Sequence, residues 1–109
     1  MSAGKKQSAQ DSVLTLEGEL TIYTVTETLS RLRAYLKEQD ACELDLAGVT
    51  EIDSAGLQLL LWTRRTAAEQ GARFHLVARS DAVAEVLAML QLEPVFGDGS
   101  ATLAVEDPA

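Results

Sequence analysis

The stretch Val49-Thr50-Glu51-Ile52-Asp53-Ser54-Ala55-Gly56-Leu57 decides how this sequence folds. It leads from an apolar segment through two short polar residues into a long aliphatic run. Because Asp and Ser favour helix starts, the stretch predicts a strand, a loop and then a helix from Ser54 to Gln70. Gly71 follows as a left-handed helix cap.

Upstream of this stretch, the pattern predicts two strands and one helix. Residues 13–17 alternate as a strand does, and Gly18 introduces a bulge or bend. Thr24-Val25-Thr26-Glu27 matches a capping box, so we expect a helix that ends near Asp40. Its apolar stripe consists of Val25, Leu29, Leu32 and Leu36. Residues 42–47 form the next strand, with Cys42, Leu44 and Leu46 facing inward and a loop after Ala47.

Downstream, the pattern continues with a strand over residues 73–78 and a third helix. Ser80-Asp81 caps this helix, which ends before Pro94. The order β-α-β-α-β-α indicates an α/β fold with right-handed crossovers and a largely parallel sheet. A last strand around residues 101–105 remains open.

Length and composition limit the classes of function. The chain has 109 residues and a formal net charge of −8. We expect a disordered leader over residues 1–11 and a single domain over residues 12–109. The acidic balance argues against nucleic acid as a partner. The absence of a long apolar run argues against membrane insertion, and a lone cysteine fits a reducing compartment, so we expect a cytoplasmic protein.

The sequence does not offer a convergent set of reactive groups. The single histidine, His75, lies within a predicted strand, and the single cysteine, Cys42, lies at the start of another. Catalytic triads, metal sites and phosphate-binding loops all need more than this. We therefore expect no catalytic residue, no metal, no cofactor and no enzymatic activity.

Two interpretations of Ser54 stay open at this point. The positive end of a helix dipole stabilises negative charge, which suits Ser54 as a phosphate acceptor. The simpler interpretation is a helix cap without further function. Gly56 weighs against that, because glycine in a first turn is unfavourable unless something approaches the backbone closely, and a partner is one such thing.

Three segments make the chain resemble the STAS domains, the family named for sulphate transporters and anti-sigma factor antagonists. They are Leu16-Glu17-Gly18-Glu19-Leu20, Leu44-Asp45-Leu46-Ala47-Gly48-Val49 and Ile52-Asp53-Ser54-Ala55-Gly56-Leu57. The resemblance implies a small sheet of about four strands, mostly parallel or mixed, with helices mainly on one face. It also implies that a partner kinase phosphorylates Ser54. Thr21-Ile22-Tyr23 departs from the usual antagonist sequence and is closer to short STAS proteins of bacterial chemotaxis-type signalling.

The leading hypothesis is a regulatory binding module switched by phosphorylation of Ser54. Its partner would be a serine kinase or anti-sigma-like ATPase, or a signalling or transport ATPase. The alternative is a constitutive STAS subunit of an ABC-type phospholipid transport complex. Trp62 is either an exposed docking anchor or a cover for the seam against the first helix. The residues expected to contact a partner are Thr21, Tyr23, Asp53, Ala55, Gly56, Gln58 and Trp62.

Overall fold

The computed structural model describes residues 12–97. In chain order the elements are β1 (Val13–Leu20), α1 (Val25–Glu38), β2 (Ala41–Ile52), α2 (Ser54–Glu69), β3 (Arg73–Arg79), α3 (Asp81–Met89) and α4 (Glu93–Phe96). Within the described residues the sheet has the order β1-β2-β3, and both neighbouring pairs are parallel. The predicted α/β fold is confirmed. The predicted leader and the open question of a last strand lie outside the described residues.

One face of the sheet forms the core. Leu14 pairs with Leu44, and Leu44 pairs with Leu76, so one apolar row crosses all three strands. Cys42, Leu44 and Leu46 are buried, as predicted. Their neighbours on the other face, among them Glu43 and His75, are more exposed. The helices join this core through Leu32, Leu36, Leu57, Leu59, Leu60, Val83 and Leu87.

Strand β2 is longer than the sequence pattern predicts. We expected a loop after Ala47, but the strand continues to Ile52. Val49 is buried and pairs with Gly18, which continues the sheet beyond Gly48. The register of β1 shifts near Gly18, whose φ of 78° accounts for the predicted bulge. As a result β1 and β2 end side by side.

The helix ends show how local hydrogen bonds set the boundaries. Ser80 caps α3 as predicted, because its side chain accepts a hydrogen bond from the backbone N–H of Val83. The prediction of a capping box at Thr24 is wrong, because the Thr24 side chain makes no capping hydrogen bond to α1. The Thr24 hydroxyl instead accepts a hydrogen bond from the Thr21 N–H at 3.0 Å. Thr24 therefore closes the turn that precedes α1 rather than capping the helix.

The helical spacing of the sequence predicts that the core face of α2 consists of Leu57, Leu60, Leu61, Ala67 and Ala68, but the observed buried face differs. Leu59 and Thr63 are buried, whereas Ala68, expected in the core, is exposed. The Thr63 hydroxyl donates to the Leu59 carbonyl oxygen at 2.8 Å, which satisfies its polar group inside the core. The buried stripe therefore runs through positions 56, 60, 63 and 67. Its outer flank includes the half-buried Leu61.

Within residues 12–97, no helix has both the length and the apolar composition that a membrane crossing requires.

Candidate functional site

The site lies where β1 and β2 end together. Leu20 and Ile52 are paired neighbours at the carboxyl ends of these strands. The turn 21–24 leaves β1 there, and Asp53 connects β2 to α2. The Asp53 N–H donates to the Leu20 carbonyl oxygen at 3.3 Å, which joins the two chain segments. Ligands and partners of open parallel sheets commonly bind at this edge.

Asp53 is the N-cap of α2 and also holds the neighbouring turn. One carboxylate oxygen, Oδ1, accepts a hydrogen bond from the Gly56 N–H at 3.0 Å. The other, Oδ2, accepts from the Ile22 N–H, also at 3.0 Å. These bonds, first that from Ile22 and then that from Gly56, lower the pKa of Asp53 below the ordinary aspartate value. Asp53 is therefore an ionised bridge at neutral pH.

Ser54 is the first residue of α2, and its side chain is exposed. Because Asp53 provides the cap, the Ser54 hydroxyl is not needed for that purpose. It makes no hydrogen bond to any other residue in the described part of the chain. The helix cap is therefore Asp53 and not Ser54. Ser54 offers an accessible hydroxyl at the positive end of the helix.

The turn 21–24 presents two large apolar side chains to solvent. Ile22 is 61% exposed and Tyr23 is 89% exposed. Thr21, expected to contact a partner, is buried instead, and its hydroxyl donates to a Glu19 carboxylate oxygen at 3.2 Å. Thr21 shapes the turn, which Thr24 closes. Ile22 was missed, although an apolar Ile-Tyr pair in a turn that normally holds polar residues was a usable indication.

Packing within the domain explains why position 56 holds a glycine. A Cβ atom at this position would lie 2.0 Å from the carbonyl oxygen of Leu20. Gly56 is also buried. The close approach that its presence suggested is thus made by β1, and the partner contact expected at Gly56 stays a prediction. Only glycine lets α2 begin this close to the end of β1.

The remaining predicted contact residues lie along α2. Gln58 is exposed, and Ala55 is half-buried. Trp62 is half-buried and packs against the core. The Arg33 guanidinium of α1 lies 5.8 Å from the centre of the Trp62 ring, a cation–π distance. Of the two interpretations left open for Trp62, this geometry favours the one in which its ring covers the seam between α1 and α2.

Comparison with known proteins identifies the family. The family model described as "Mlab, STAS domain" matches residues 3–97. The chain belongs to the STAS domain family. This confirms the resemblance carried by the three sequence segments.

Two solved structures share the STAS fold with this chain. One is the anti-sigma factor antagonist SpoIIAA in its unphosphorylated form, with a TM-score of 0.56 and 20% identity, covering 71% of this chain and 72% of that one. The other is a sulfate transporter family protein from Wolinella succinogenes, with a TM-score of 0.60 and 20% identity. Its alignment covers 88% of this chain and 80% of that one. At this identity the likeness concerns the fold.

Three other features of this STAS domain do not include Ser54. An open groove of about 490 Å³ follows the outer face of α2 and is lined by Gln58, Leu61, Arg64, Arg65, Ala68 and Glu69. Cys42 is buried in β2, and burial raises the pKa of its thiol to about 12. His75 is exposed on β3. Within residues 12–97, no three His, Cys, Asp or Glu side chains are grouped as metal ligands would be.

Proposed function

We propose that this STAS domain is a non-enzymatic, cytoplasmic regulatory module whose binding to a protein partner is controlled by phosphorylation of Ser54. The observation that carries the proposal is the accessible Ser54 hydroxyl, left free because Asp53 provides the helix cap. The exposed side chains of Ile22 and Tyr23 belong to the turn whose Ile22 N–H binds Asp53, the residue before Ser54. We call Ile22, Tyr23, Ser54 and Gln58 the switch surface.

The composition of the switch surface suits a reversible protein contact. Ile22 and Tyr23 provide apolar area, and an exposed tyrosine is a frequent anchor in interfaces. Gln58 and the Ser54 hydroxyl provide uncharged polar groups. The charged Asp53 lies between these groups, but both of its carboxylate oxygens accept hydrogen bonds, from the Ile22 and Gly56 N–H groups. A partner can therefore cover this surface without leaving that charge unpaired, which favours binding of the unmodified protein.

A phosphate on Ser54 would change this surface electrostatically. It adds about −1.5 to −2 charges at neutral pH. The amino terminus of α2 offsets part of that charge within the modified protein, so the fold tolerates it. A partner that covers the surface must then desolvate the phosphate or leave it unpaired, which weakens the complex. The modified form is therefore the released form.

The proposed partner is a serine kinase or anti-sigma-like ATPase, which would both bind and phosphorylate the domain. The fold shared with an anti-sigma factor antagonist supports this class of partner. Within this proposal, the segment Thr21-Ile22-Tyr23 favours a role like that of the short STAS proteins of chemotaxis-type signalling.

A second candidate function is a constitutive subunit of an ABC-type phospholipid transport complex. The fold shared with a sulfate transporter family protein favours a role in transport. In that function the same surface would hold a transport ATPase, and Ser54 would be a close-contact residue without a phosphate. The two candidates predict different responses to charge at position 54.

Three proteins test the proposal: wild type, Ser54→Ala and Ser54→Asp. Unmodified wild type, used as bait in native cytoplasm, retrieves the partner, and calorimetry then measures the affinity of all three for it. We expect Ser54→Ala to bind like wild type and Ser54→Asp to lose at least about 30-fold, the effect of burying one unpaired charge. Equal affinity of all three would support the constitutive subunit. Tighter binding by Ser54→Asp would reverse the sign of the switch.

A further inference from the structure

Asp53 connects the two halves of the switch surface. Its Oδ1 binds the Gly56 N–H inside α2, and its Oδ2 binds the Ile22 N–H in the turn 21–24. Within residues 12–97, the Ile22 bond is the one hydrogen bond that joins Ile22 or Tyr23 to the start of α2. The exposed tip of the turn is therefore held to the helix at a single point.

The other bonds of the turn hold its base and not its tip. The Thr24 N–H donates to the Thr21 carbonyl oxygen at 2.9 Å. The Tyr23 N–H donates to the Thr21 hydroxyl at 3.3 Å. These contacts keep the turn closed, but they stay within it. If the Asp53 contact is lost, the turn persists while its position relative to Ser54 is no longer fixed.

We propose that Asp53 is a positioning residue that transmits charge on Ser54 to the Ile22-Tyr23 turn. A negative group on Ser54 is one residue away from the carboxylate and repels it. The same group also competes for the backbone N–H groups at the start of α2, where the Gly56 N–H now serves Asp53. Repulsion displaces the Asp53 carboxylate, and loss of the Gly56 bond removes a contact that fixes the carboxylate's orientation. Both effects therefore weaken the hydrogen bond between Oδ2 and the Ile22 N–H.

The consequence is a second route by which modification alters the switch surface. Besides adding charge at Ser54, phosphorylation moves the apolar pair Ile22 and Tyr23 out of register with α2. The biological use of this coupling rests on the proposed function. The coupling itself is a property of the isolated protein, so it is measured without a partner.

Amide hydrogen exchange of Ile22, followed by NMR, tests the coupling. We compare Ser54→Asp with Ser54→Asn, which has nearly the same size and no charge. Loss of a hydrogen bond to a charged acceptor predicts that Ile22 exchanges about tenfold faster in Ser54→Asp. Core amides such as those of Leu44 and Leu60 should keep their exchange rates. An unchanged Ile22 rate in Ser54→Asp would overturn the proposal.

Asp53→Asn tests whether the effect passes through Asp53. Asparagine caps helices as well as aspartate does, but its single carbonyl oxygen cannot replace both carboxylate oxygens. Ile22 should therefore exchange rapidly in Asp53→Asn already, and adding Ser54→Asp should change it less than twofold. An equal tenfold effect in both backgrounds would refute the role of Asp53. Asp53→Ser, another good cap with one oxygen, provides the same test if Asp53→Asn does not fold.

The outcomes separate this inference from the proposed function. If partner affinity responds to Ser54→Asp while Ile22 exchange does not, the phosphorylation switch stands and the coupling is refuted. If Ile22 exchange responds while affinity does not, the coupling stands and the switch is refuted.

Discussion

Replacing Gly56 by alanine tests the packing that brings the site together. A Cβ atom there would lie 2.0 Å from the Leu20 carbonyl oxygen, 2.8 Å from the Leu20 carbonyl carbon and 3.0 Å from its Cγ. The two nearest of these atoms belong to the backbone of β1, so no side-chain rotation relieves the overlap. Either α2 or the end of β1 must move by at least about 1.4 Å to restore an ordinary contact distance.

The expected magnitude follows from two opposing terms. Alanine is a better helix former than glycine, which alone would stabilise the protein by up to about 1 kcal/mol. Overpacking against fixed neighbours costs about 1–3 kcal/mol and sometimes more. Here the overlap is with backbone, and relieving it also strains the bonds that Asp53 makes to Leu20 and Gly56. We therefore expect a net loss of about 2–3 kcal/mol.

Thermal and urea unfolding followed by circular dichroism measure this loss. For a domain of this size, about 2–3 kcal/mol corresponds to a fall in Tm of roughly 10–20 °C. Gly48→Ala is the matched control, because its Cβ would meet the movable Glu17 side chain at 3.0 Å on an exposed part of β2. We expect Gly48→Ala to stay within about 1 kcal/mol of wild type. A Gly56→Ala protein as stable as wild type would refute the argument from close packing.

Four further predictions concern single side chains. Trp62→Ala should lower the free energy of unfolding, measured in urea, by about 2 kcal/mol. This is below the ~3–5 kcal/mol of a fully buried ring, because Trp62 is half-buried beneath Arg33. Unchanged stability together with lost partner affinity would restore the docking-anchor interpretation. Because the pKa of Asp53 is lowered in the folded state, ionised Asp53 stabilises that state at pH values above the ordinary aspartate pKa of about 3.9. This contribution disappears as the pH falls through the lower, folded-state pKa. The difference in unfolding free energy between wild type and Asp53→Asn should therefore be smaller at pH 3 than at pH 7. Cys42, buried and with its pKa raised to about 12, should react with a thiol reagent at pH 8 only as fast as the protein unfolds, and rapid native labelling would contradict its burial. Ser54→Ala should fold normally and accept no phosphate from the cognate kinase, and mass spectrometry that finds another modified residue would reassign the acceptor.

The sequence predicted the order of elements well because the local patterns agreed with the tertiary structure. Alternating apolar residues identified Cys42, Leu44 and Leu46 as the inward face of β2, and all three are buried. The Ser80 cap depends on contacts within one turn, which a sequence pattern can specify. Family resemblance then supplied the one-sided arrangement of helices, which the periodicity alone did not.

The errors arose where a contact distant in sequence replaced the local one. Thr24 is the exception, because it fits a capping box but its hydroxyl binds backbone groups of Thr21 and Glu19, only three and five residues away. Gly56 appeared open to a partner because its neighbour in space, Leu20, is far away in the chain. The bridge from Asp53 to Ile22 also joins residues that lie far apart in sequence. No local pattern reports such pairs, so the core of the site became visible only in the folded structure.

The most direct test of the phosphorylation switch uses phosphoserine itself at position 54. Protein carrying phosphoserine at Ser54 and unmodified protein are titrated by calorimetry into the same purified partner, with circular dichroism confirming that both are folded. We predict that the unmodified protein binds and that the phosphorylated protein binds at least about 100-fold more weakly, since its added charge exceeds that of aspartate. Equal affinity of the two forms would contradict the account and leave the constitutive subunit as the function of this domain.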